Sequence, residues 1–345
     1  MKMLKKFATW SVVALLLQST LLFMVDKYYE KTLMNTKVTE VRVYKDSKPQ
    51  KNVSISIPSD AKKLEASFDG KYISYYEDNK LNTINTYDGS KHTINVEKKS
   101  ELVYSKWLPA TNNMILCEQN LNSRRNITFF TYDAENSNKV TPTDTNNHNL
   151  ILTLNSSTDK ISNVVLPSSI GIMYIKALKS NGKNDIFYND ANGKSSLLLS
   201  AKNIGNVGAF ENKSNLIYDD ITNNTVRITN STWRLNNKQT CLLNTDDSDN
   251  LYIGVLENGR VRKILYGSID DTIDKLTSLT FTETENKINI SITRNKKIYV
   301  NNSIKGYVID KATDKKISYK GNLLKVTDKA IISVLNGKLL EVNLN

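Results

Sequence analysis

Two short acidic stretches hold the residues best suited to chemistry in this sequence. They are "NTDDSDN", with Asp246, Asp247 and Asp249, and "SIDDTID", with Asp270, Asp271 and Asp274. Calcium prefers such oxygen-rich loops, but an EF-hand loop also needs a central glycine and a closing glutamate. Neither stretch has them, so both are interpreted as solvated turns. We therefore expect no metal site and no cofactor.

Nucleophilic and nucleotide chemistry have less support still. A Ser-His-Asp triad has only His92 and His148 to draw on, one at a strand start and one in a polar loop. No two glycines lie four residues apart, which excludes a Gly-x-Ser-x-Gly elbow, and none lie two apart, which excludes GxGxxG. "GVLENGRV" has Walker-type glycine spacing, but Arg260 and Val261 replace the Lys and Ser/Thr, so it is interpreted as a hairpin. The sequence predicts no enzyme.

The two cysteines lie in apolar, strand-like runs. Cys117 is in "NMILCE" and Cys241 is in "TCLLN". Each is predicted to be a small buried hydrophobe, and a disulfide between them stays open, because sequence cannot place their Cα atoms. No CxxC is present, so neither a zinc site nor a thioredoxin-like site is supported.

Aromatic residues are the remaining candidates for ligand contacts. The tyrosines that suit a binding face are Tyr72, Tyr75, Tyr76, Tyr174 and Tyr188. Since aromatic residues favour sheets, most are expected to pack between strands instead. Trp107 and Trp233 are candidates for capping structural units rather than for binding. The sequence thus assigns no catalytic, cofactor-binding or metal residue.

The segment from Leu64 to Val96 shows which elements must position these residues. It reads as four strands, "KKLEASF", "KYISYYE", "KLNTINTY" and "HTINVE", separated by Asp-Gly and Asp-Asn turns. Alternating strands joined by such turns are typical of hairpins. The second strand is apolar on nearly every residue, which is typical of burial on both faces.

The same buried strand recurs along the chain. Its further copies are "NNMILCEQ", "IGIMYIKAL", "SNLIYDD", "DNLYIGVLENG", "NKINISIT" and "DKAIISVLNGK". Their mean spacing is close to the ~40–45 residues of a four-stranded propeller blade. The longest gap holds "TPTDTNNHN", interpreted as an excursion between blades.

This periodicity predicts an all-β fold, a β-propeller over residues 37–345, with seven blades favoured and six possible. A pair of β-sandwiches is the other architecture that short, evenly spaced strands fit. The last blade ends at "LLEVNL" without an outer strand, and the segments "VTEVRVY" and "NVSISI" precede the first blade. One of them is predicted to complete the last blade, because closure protects the exposed strand edges.

Residues of the first repeat resemble a known family. "ASFDGKYISYYEDNKLNTINTYDGSK" is similar to the repeat of TolB-type propellers and of the propeller in prolyl-oligopeptidase-like peptidases. Positions that match the spacing are Asp69, Gly70, Lys71, Ile73, Tyr75, Leu81, Asp88 and Gly89. Ser67-Phe68 stands where that repeat has Ser-Pro. The resemblance implies a propeller without a hydrolase domain, and it implies no particular function.

The N-terminus is predicted to be a membrane anchor. Residues 7–25 form an uncharged run, "FATWSVVALLLQSTLLFMV", which matches the roughly 20 residues that a spanning helix needs. Three lysines in residues 1–6 favour a cytoplasmic tail. Since no small residues follow the run, an uncleaved signal-anchor is favoured over a cleaved signal peptide. Residues 26–36 are predicted to be a linker, and the propeller is predicted to be extracytoplasmic in a single-pass cell-membrane protein.

The net charge of +12 indicates anionic partners, although the lysines are spread along the whole chain. Nucleic-acid binding normally needs a focused basic patch, so it is not expected. The resulting hypothesis is a non-enzymatic binding or scaffold module for an envelope protein or a wall polymer. The alternative is a degenerate lyase or hydrolase with a site of acids and tyrosines in the central channel, and a purely structural subunit is the third hypothesis.

Overall fold

The computed structural model describes residues 6, 10, 17–24, 54–142, 149–167, 171–190, 192–231, 233, 235 and 238–344. The chain divides into two units, 1–50 and 51–345. In the first unit, residues 17–24 are helical, and the described residues contain no helix of the length and apolarity needed to span a membrane. Most of the predicted tail 1–6 and anchor 7–25, and all of the linker 26–36, lie outside the described residues.

The second unit is built almost entirely of strands. Their bounds are β1 (Lys62–Ala66), β2 (Tyr72–Glu77), β3 (Lys80–Asn85), β4 (Lys91–Thr93), β5 (Ser100–Trp107), β6 (Asn113–Asn120), β7 (Asn126–Asp133), β8 (Asn138–Val140), β9 (Ile151–Thr153), β10 (Lys160–Val165), β11 (Met173–Leu178), β12 (Asn184–Asn189), β13 (Ser195–Lys202), β14 (Ile204–Ala209), β15 (Leu216–Asp220), β16 (Thr225–Ile228), β17 (Thr240–Thr245), β18 (Asn250–Glu257), β19 (Arg260–Ser268), β20 (Thr277–Glu285), β21 (Ile290–Ile292), β22 (Ile298–Asn302), β23 (Tyr307–Asp310), β24 (Lys316–Ser318), β25 (Asn322–Val326), β26 (Ala330–Leu335) and β27 (Lys338–Asn343). Two 3-10 turns cover Ile273–Lys275 and Lys287–Asn289.

These strands form seven antiparallel sheets in chain order, which are the seven blades of a propeller. Blade 1 holds β1–β4, blade 2 β5–β9, blade 3 β10–β13, blade 4 β14–β16, blade 5 β17–β20, blade 6 β21–β24 and blade 7 β25–β27. The prediction of seven blades is confirmed, and the six-bladed and sandwich alternatives are wrong. First strands of neighbouring blades lie side by side, as β25 does with β1 and β5 with β10, so the first strands surround the axis.

Two-residue turns set the register of several hairpins. Asp78–Asn79 and Asn258–Gly259 both have positive φ, at 49° and 60° and at 52° and 75°. That geometry is the type I′ turn, which Asn, Asp and Gly adopt most readily and which matches the strand twist. The Walker-like spacing around Gly259 therefore belongs to the β18–β19 hairpin, as predicted.

Seven apolar clusters, one between each pair of neighbouring blades, hold the ring together. Leu81 of blade 1, for example, packs with Met114 and Leu116 of blade 2. The remaining clusters join blades 2 and 3, 3 and 4, 4 and 5, 5 and 6, and 6 and 7. The seventh joins blade 7 to blade 1, where Ile332 packs with Ile73. Because the last cluster links the ends of the series, the ring is closed.

A short N-terminal segment supplies the outer strand of blade 7. Ser56 forms an antiparallel bridge with Lys338, and the Ile57 amide donates to the Gly337 carbonyl at 2.7 Å. Ile55 and Ile57 are both buried in the cluster between blades 7 and 1. The predicted closure by "NVSISI" is thus confirmed from residue 54 onward, whereas "VTEVRVY" lies outside the described residues.

The phase of blade 6 differs from the prediction. "NKINISIT" was expected to be its buried second strand, but it forms a 3-10 turn and the inner strand β21. Ile288 in that turn is 80% exposed. The second strand is instead β22, where Ile298, Tyr299 and Val300 are buried in succession. Strict alternation in "INISI" is the pattern of a half-buried strand, and it distinguishes β21 from β22.

The excursion predicted between blades lies within blade 2. β7 pairs with β8 through Thr131–Asp133 and with β9 through Asn126–Thr128. The outer strand is therefore split, and the chain leaves its edge after Val140 and returns at Ile151. A polar insertion is tolerated there because the outer edge of a blade faces solvent, not another blade.

Candidate functional site

Three charged side chains occupy the same position on neighbouring inner strands. Glu65 of β1, Lys106 of β5 and Lys325 of β25 are each the second-to-last residue of their strand. Blades 7, 1 and 2 are consecutive in the ring, so equivalent positions on their inner strands lie at one level of the axial channel. Lys176 of β11 in blade 3 adds a fourth charge, whose pKa Lys106 influences. Lys106, Lys176 and Lys325 are named here the axial lysine cluster.

Each lysine of the cluster donates a hydrogen bond to the next blade. Lys325 Nζ lies 3.3 Å from the Ala66 carbonyl oxygen, and Lys176 Nζ lies 2.7 Å from that of Gly205. Lys106 Nζ donates to Asn163 Oδ1 at 3.0 Å, where Tyr104 OH also donates. All three acceptors are neutral oxygens, and none of the three lysines forms an ion pair with a described residue.

The surroundings of the cluster resist charge. Burial lowers the pKa of Lys325 to about 8, against the raising effect of Asp69 and Glu65. Burial likewise lowers the pKa of Lys106 and of Lys176, and it raises the pKa of Glu65. Yet Lys106 and Glu65 keep exposed surface. A shifted pKa and an exposed side chain are compatible when the side chain faces a narrow channel that water enters and protein surrounds.

A second charged group lies beside Lys176 between blades 4 and 5. Asp219 is buried and accepts hydrogen bonds from the Leu242 and Asn206 amides. Lys287 Nζ lies 3.4 Å from its Oδ2. Because Asp219 is engaged by two backbone donors that belong to different blades, its carboxylate joins those blades and is not free to serve a ligand.

The two ends of the ring differ in charge. Antiparallel strands place the second-to-third-strand turns and the blade-to-blade connections at one end, and the other turns at the opposite end. At the first end, named here the basic face, Lys and Arg outnumber Asp and Glu in the described connections. Its exposed basic residues include Lys98, Lys99, Arg124, Lys183, Lys305 and Lys320. In the described turns of the opposite face, acidic residues slightly outnumber basic ones.

The predicted acidic stretches come together at the opposite face of blade 5. Asp246 caps its own turn by accepting the Ser248 and Asn250 amides, and it accepts from Tyr252 OH at 3.1 Å. Asp249 is buried and accepts from Asn212. Two of the other carboxylates form ion pairs, Asp270 with Lys213 and Asp247 with Arg294. No group of carboxylates among the described residues has the arrangement of a metal site.

The other candidates are structural wherever they are described. Cys117 and Cys241 are buried in blades 2 and 5 and form no disulfide, and burial raises the pKa of the Cys241 thiol to about 11. His92 is exposed on β4, and His148 lies outside the described residues. Neither cysteine is therefore placed or activated for chemistry.

The aromatic candidates pack rather than line a site. Tyr72, Tyr75 and Tyr174 are buried between blades, while Tyr76 and Tyr188 pack against the same clusters. Trp107 is buried between blades 1 and 2 and donates to Ser74 Oγ at 3.0 Å. Trp233 packs between blades 4 and 5 and borders a cavity of about 680 Å³ on the outer side of blades 3 and 4, away from the axis.

The axial lysines were not recognisable from the sequence. In an alternating strand, a lysine near one end looks like any solvent-facing residue, and this chain has many lysines. The signal that identifies them is positional: Glu65, Lys106 and Lys325 all come just before the last residue of a first strand. Reading that position requires the blades to be in phase first.

The fold and its closed ring define the chain as a seven-bladed β-propeller protein. No known protein family and no curated protein matches its sequence, so the resemblance to TolB-type repeats remains a prediction. A puromycin-hydrolyzing peptidase of Mycobacterium tuberculosis has a TM-score of 0.51 and 9% identity, and it covers 84% of this chain. This chain spans 54% of that peptidase.

Two other solved structures have lower scores. The WD40 domain of SCAP from fission yeast has a TM-score of 0.43 and 14% identity, over 83% of this chain and 85% of that one. A mitotic checkpoint complex chain has a TM-score of 0.49 and 10% identity, over 87% of this chain and 98% of that one. At such identities the likeness to solved structures concerns the fold alone.

Proposed function

We propose that this protein is a membrane-anchored, extracytoplasmic propeller that acts without catalysis as a binding module. Its partner carries negative charge, as an anionic wall polymer or an acidic envelope protein does, and it docks on the basic face. The observation that supports this proposal most directly is the difference in charge between the two ends of the ring. A basic surface attracts acidic partners and speeds their encounter.

Two exposed apolar residues on the basic face of blade 6 support docking there. Ile304 in the β22–β23 turn is 96% exposed, and Ile288 before β21 is 80% exposed. Apolar anchors within a charged rim are the usual composition of a protein interface. The predicted alternative, a channel enzyme built from acids and tyrosines, has no such support, because lysines dominate the axis and the described candidate tyrosines pack between or against blades.

Matched charge reversals test the docking face. One full-length variant changes Arg124, Lys183, Lys305 and Lys320 to Glu, and its control changes Lys194, Lys275, Lys297 and Lys315 to Glu. All eight residues are exposed, and the two sets lie at opposite ends of the ring. Since both variants change the formal net charge by the same amount, a basic-face site predicts that only the first loses co-sedimentation with isolated cell wall or capture of the membrane partner. Equal loss in both variants would reduce the effect to net charge.

The anchor has a separate test. Protease added to intact spheroplasts should digest the propeller and spare residues 1–6, because a single uncleaved helix would leave everything after it outside. Protection of the full-length chain until lysis would place the propeller in the cytoplasm. That result would contradict the extracytoplasmic location but not the use of the basic face for binding, because the charge-reversal experiment tests binding without reference to location.

A further inference from the structure

The large apolar side chains that the propeller exposes are concentrated on the basic face. In the described turns of the opposite face, the exposed residue of this kind is Tyr87. Others lie on the outer strands β8, β9 and β13. The basic face exposes a larger group, named here the aliphatic set: Val96, Leu121, Leu178, Ile221, Ile288, Ile304 and Leu335. Ile288 and Ile304 of blade 6 are thus part of a pattern that extends around the face.

The position of the aliphatic set repeats from blade to blade. Leu178 and Leu335 are the last residues of the second strands β11 and β26. Leu121 and Ile221 directly follow the second strands β6 and β15, and Ile304 lies in the turn after β22. The second-to-third-strand turns of blades 2, 3, 4, 6 and 7 therefore each present one aliphatic side chain at the same end of the ring. Such a distribution suits a partner that contacts the whole face at once.

Basic residues accompany the aliphatic set in the same connections. Lys305 directly follows Ile304, and Arg124 comes shortly after Leu121. The other pairs are Val96 with Lys98, Leu178 with Lys183 and Leu335 with Lys338. These five basic residues are exposed, and none of them forms an ion pair with a described residue. Their charges are therefore available to a partner.

The chemistry of this face favours a bilayer surface over a protein or a wall polymer. Protein interfaces concentrate their binding free energy in a central cluster that is enriched in Trp, Tyr and Arg. The aliphatic set instead consists of Val, Leu and Ile and is spread around the ring. A charged wall polymer satisfies the basic residues but leaves the apolar side chains in water. A bilayer with anionic headgroups offers negative charge at its surface and an apolar layer directly below it.

We propose that the basic face lies flat on an anionic lipid surface, with the aliphatic set inserted at the boundary between headgroups and acyl chains. The Lys and Arg side chains beside it attract the phosphate groups of the lipids. The inference rests on the proposed function, since it names the anionic partner of the basic face as a lipid surface instead of a wall polymer or an envelope protein. The axis of the ring then stands perpendicular to the bilayer, and the opposite face and the outer strands stay in water.

A thiol-reactive fluorescent probe reports which face of the full-length protein touches lipid. It is attached through Ile304→Cys on the basic face or through Tyr87→Cys on the opposite face. The native Cys117 and Cys241 are buried and do not compete for the probe. The vesicles contain a lipid-attached quencher and either phosphatidylglycerol with phosphatidylcholine or phosphatidylcholine alone. In anionic vesicles, quenching at position 304 should exceed quenching at position 87 by about threefold or more, and the excess should be lost without phosphatidylglycerol.

Equal quenching at the two positions in anionic vesicles would overturn the inference. The predicted anchor does not confound this comparison, because it is present in both labelled chains. If the charge reversals on the basic face still abolish capture of the wall or the membrane partner, the face binds another anion and only the lipid inference fails. If the charge reversals also have no effect, the proposed function fails with it.

Paired substitutions test the insertion of the aliphatic set. Leu121→Ser with Ile221→Ser should reduce quenching at position 304 severalfold in anionic vesicles, because less apolar surface enters the bilayer. The matched control is Leu197→Ser with Leu198→Ser, whose side chains are similarly exposed but lie on the outer strand β13. This control should leave the quenching unchanged. Quenching that is the same in both double variants would contradict the insertion of the aliphatic set.

Discussion

Neighbouring blades meet in two chemically different zones, the apolar seams and the axis. In the seams, residues such as Ile73 and Leu116 are fully buried, and each contact releases water from apolar surface. At the axis, Lys106 and Lys325 reach across to the next blade and form single hydrogen bonds to neutral oxygens. The seams lower the free energy of the ring, whereas the axial charges raise it.

That difference separates the residues that maintain the ring from those available for binding. A buried apolar contact stabilises a fold in proportion to its area. A desolvated ammonium without a carboxylate partner costs stability, and such groups are typical of sites that use their charge on a ligand. Three experiments test this contrast, each by the change in stability that it measures.

Removal of the closing strand should have the largest effect. A chain that starts at residue 59 lacks Ile55 and Ile57, and fully burying each contributes roughly 1.5–3 kcal/mol. It also exposes the edge of β27. We expect aggregation, or a melting temperature lower by about 10 °C or more, relative to a chain that starts at residue 35. Equal melting temperatures would mean that the seam between blades 7 and 1 closes without this strand.

Shortening one side chain in the same seam should have the second-largest effect on stability. Ile73 is completely buried between blades 1 and 7, so Ile73→Ala is expected to cost about 2–5 kcal/mol of unfolding free energy. Urea denaturation measures it, and Ile304→Ala is the control, because Ile304 is 96% exposed. A loss below about 1 kcal/mol would show that the seam repacks and contributes little.

Replacing an axial lysine should change stability in the opposite direction. The pKa of Lys325 falls from 10.5 to about 8 on folding, so between these values the unfolded chain binds more protons and stability rises with pH. Below pH 8 the full penalty is present. Because Lys325→Met removes both the buried charge and one hydrogen bond, it is expected to stabilise the ring by roughly 2 kcal/mol at pH 7. The gain should shrink as the pH of urea denaturation approaches 10. Destabilisation at pH 7 would make Lys325 a structural residue.

The seams were predictable from sequence, and the axis was not. Buried second strands such as β6 and β18 have consecutive apolar residues, and their turns contain Asn, Asp and Gly, so local chemistry indicates both. Seven copies then indicated the ring. Blade 6 was out of phase because β21 is short and its alternating isoleucines resemble a buried strand until β22 is compared with it.

The axial cluster depends on contacts that no local pattern encodes. Lys106 and Lys325 are more than 200 positions apart in the sequence, and only closure of the ring places them around one channel. In the acidic stretches, by contrast, the charges are adjacent in the sequence, so a local pattern is visible there. In the structure, Asp270 pairs with Lys213 and Asp247 pairs with Arg294, so these charges are engaged in ion pairs between loops. Charged residues that are far apart in the sequence and close together in the fold cannot be recognised as a group from the sequence alone.

The closing strand also has a consequence for the timing of synthesis. Ser56 pairs with Lys338, about 280 positions later, and chains grow at roughly 5–20 residues per second. The strand that contains Ile55 and Ile57 therefore waits about 15–55 s for its partner to be made. Blades 1 to 6 can each form as they emerge, but the final pairing is the most distant in sequence and the slowest to find. During that interval each unfinished chain exposes an apolar strand without its partner. Two chains made side by side can therefore exchange these strands before either ring closes.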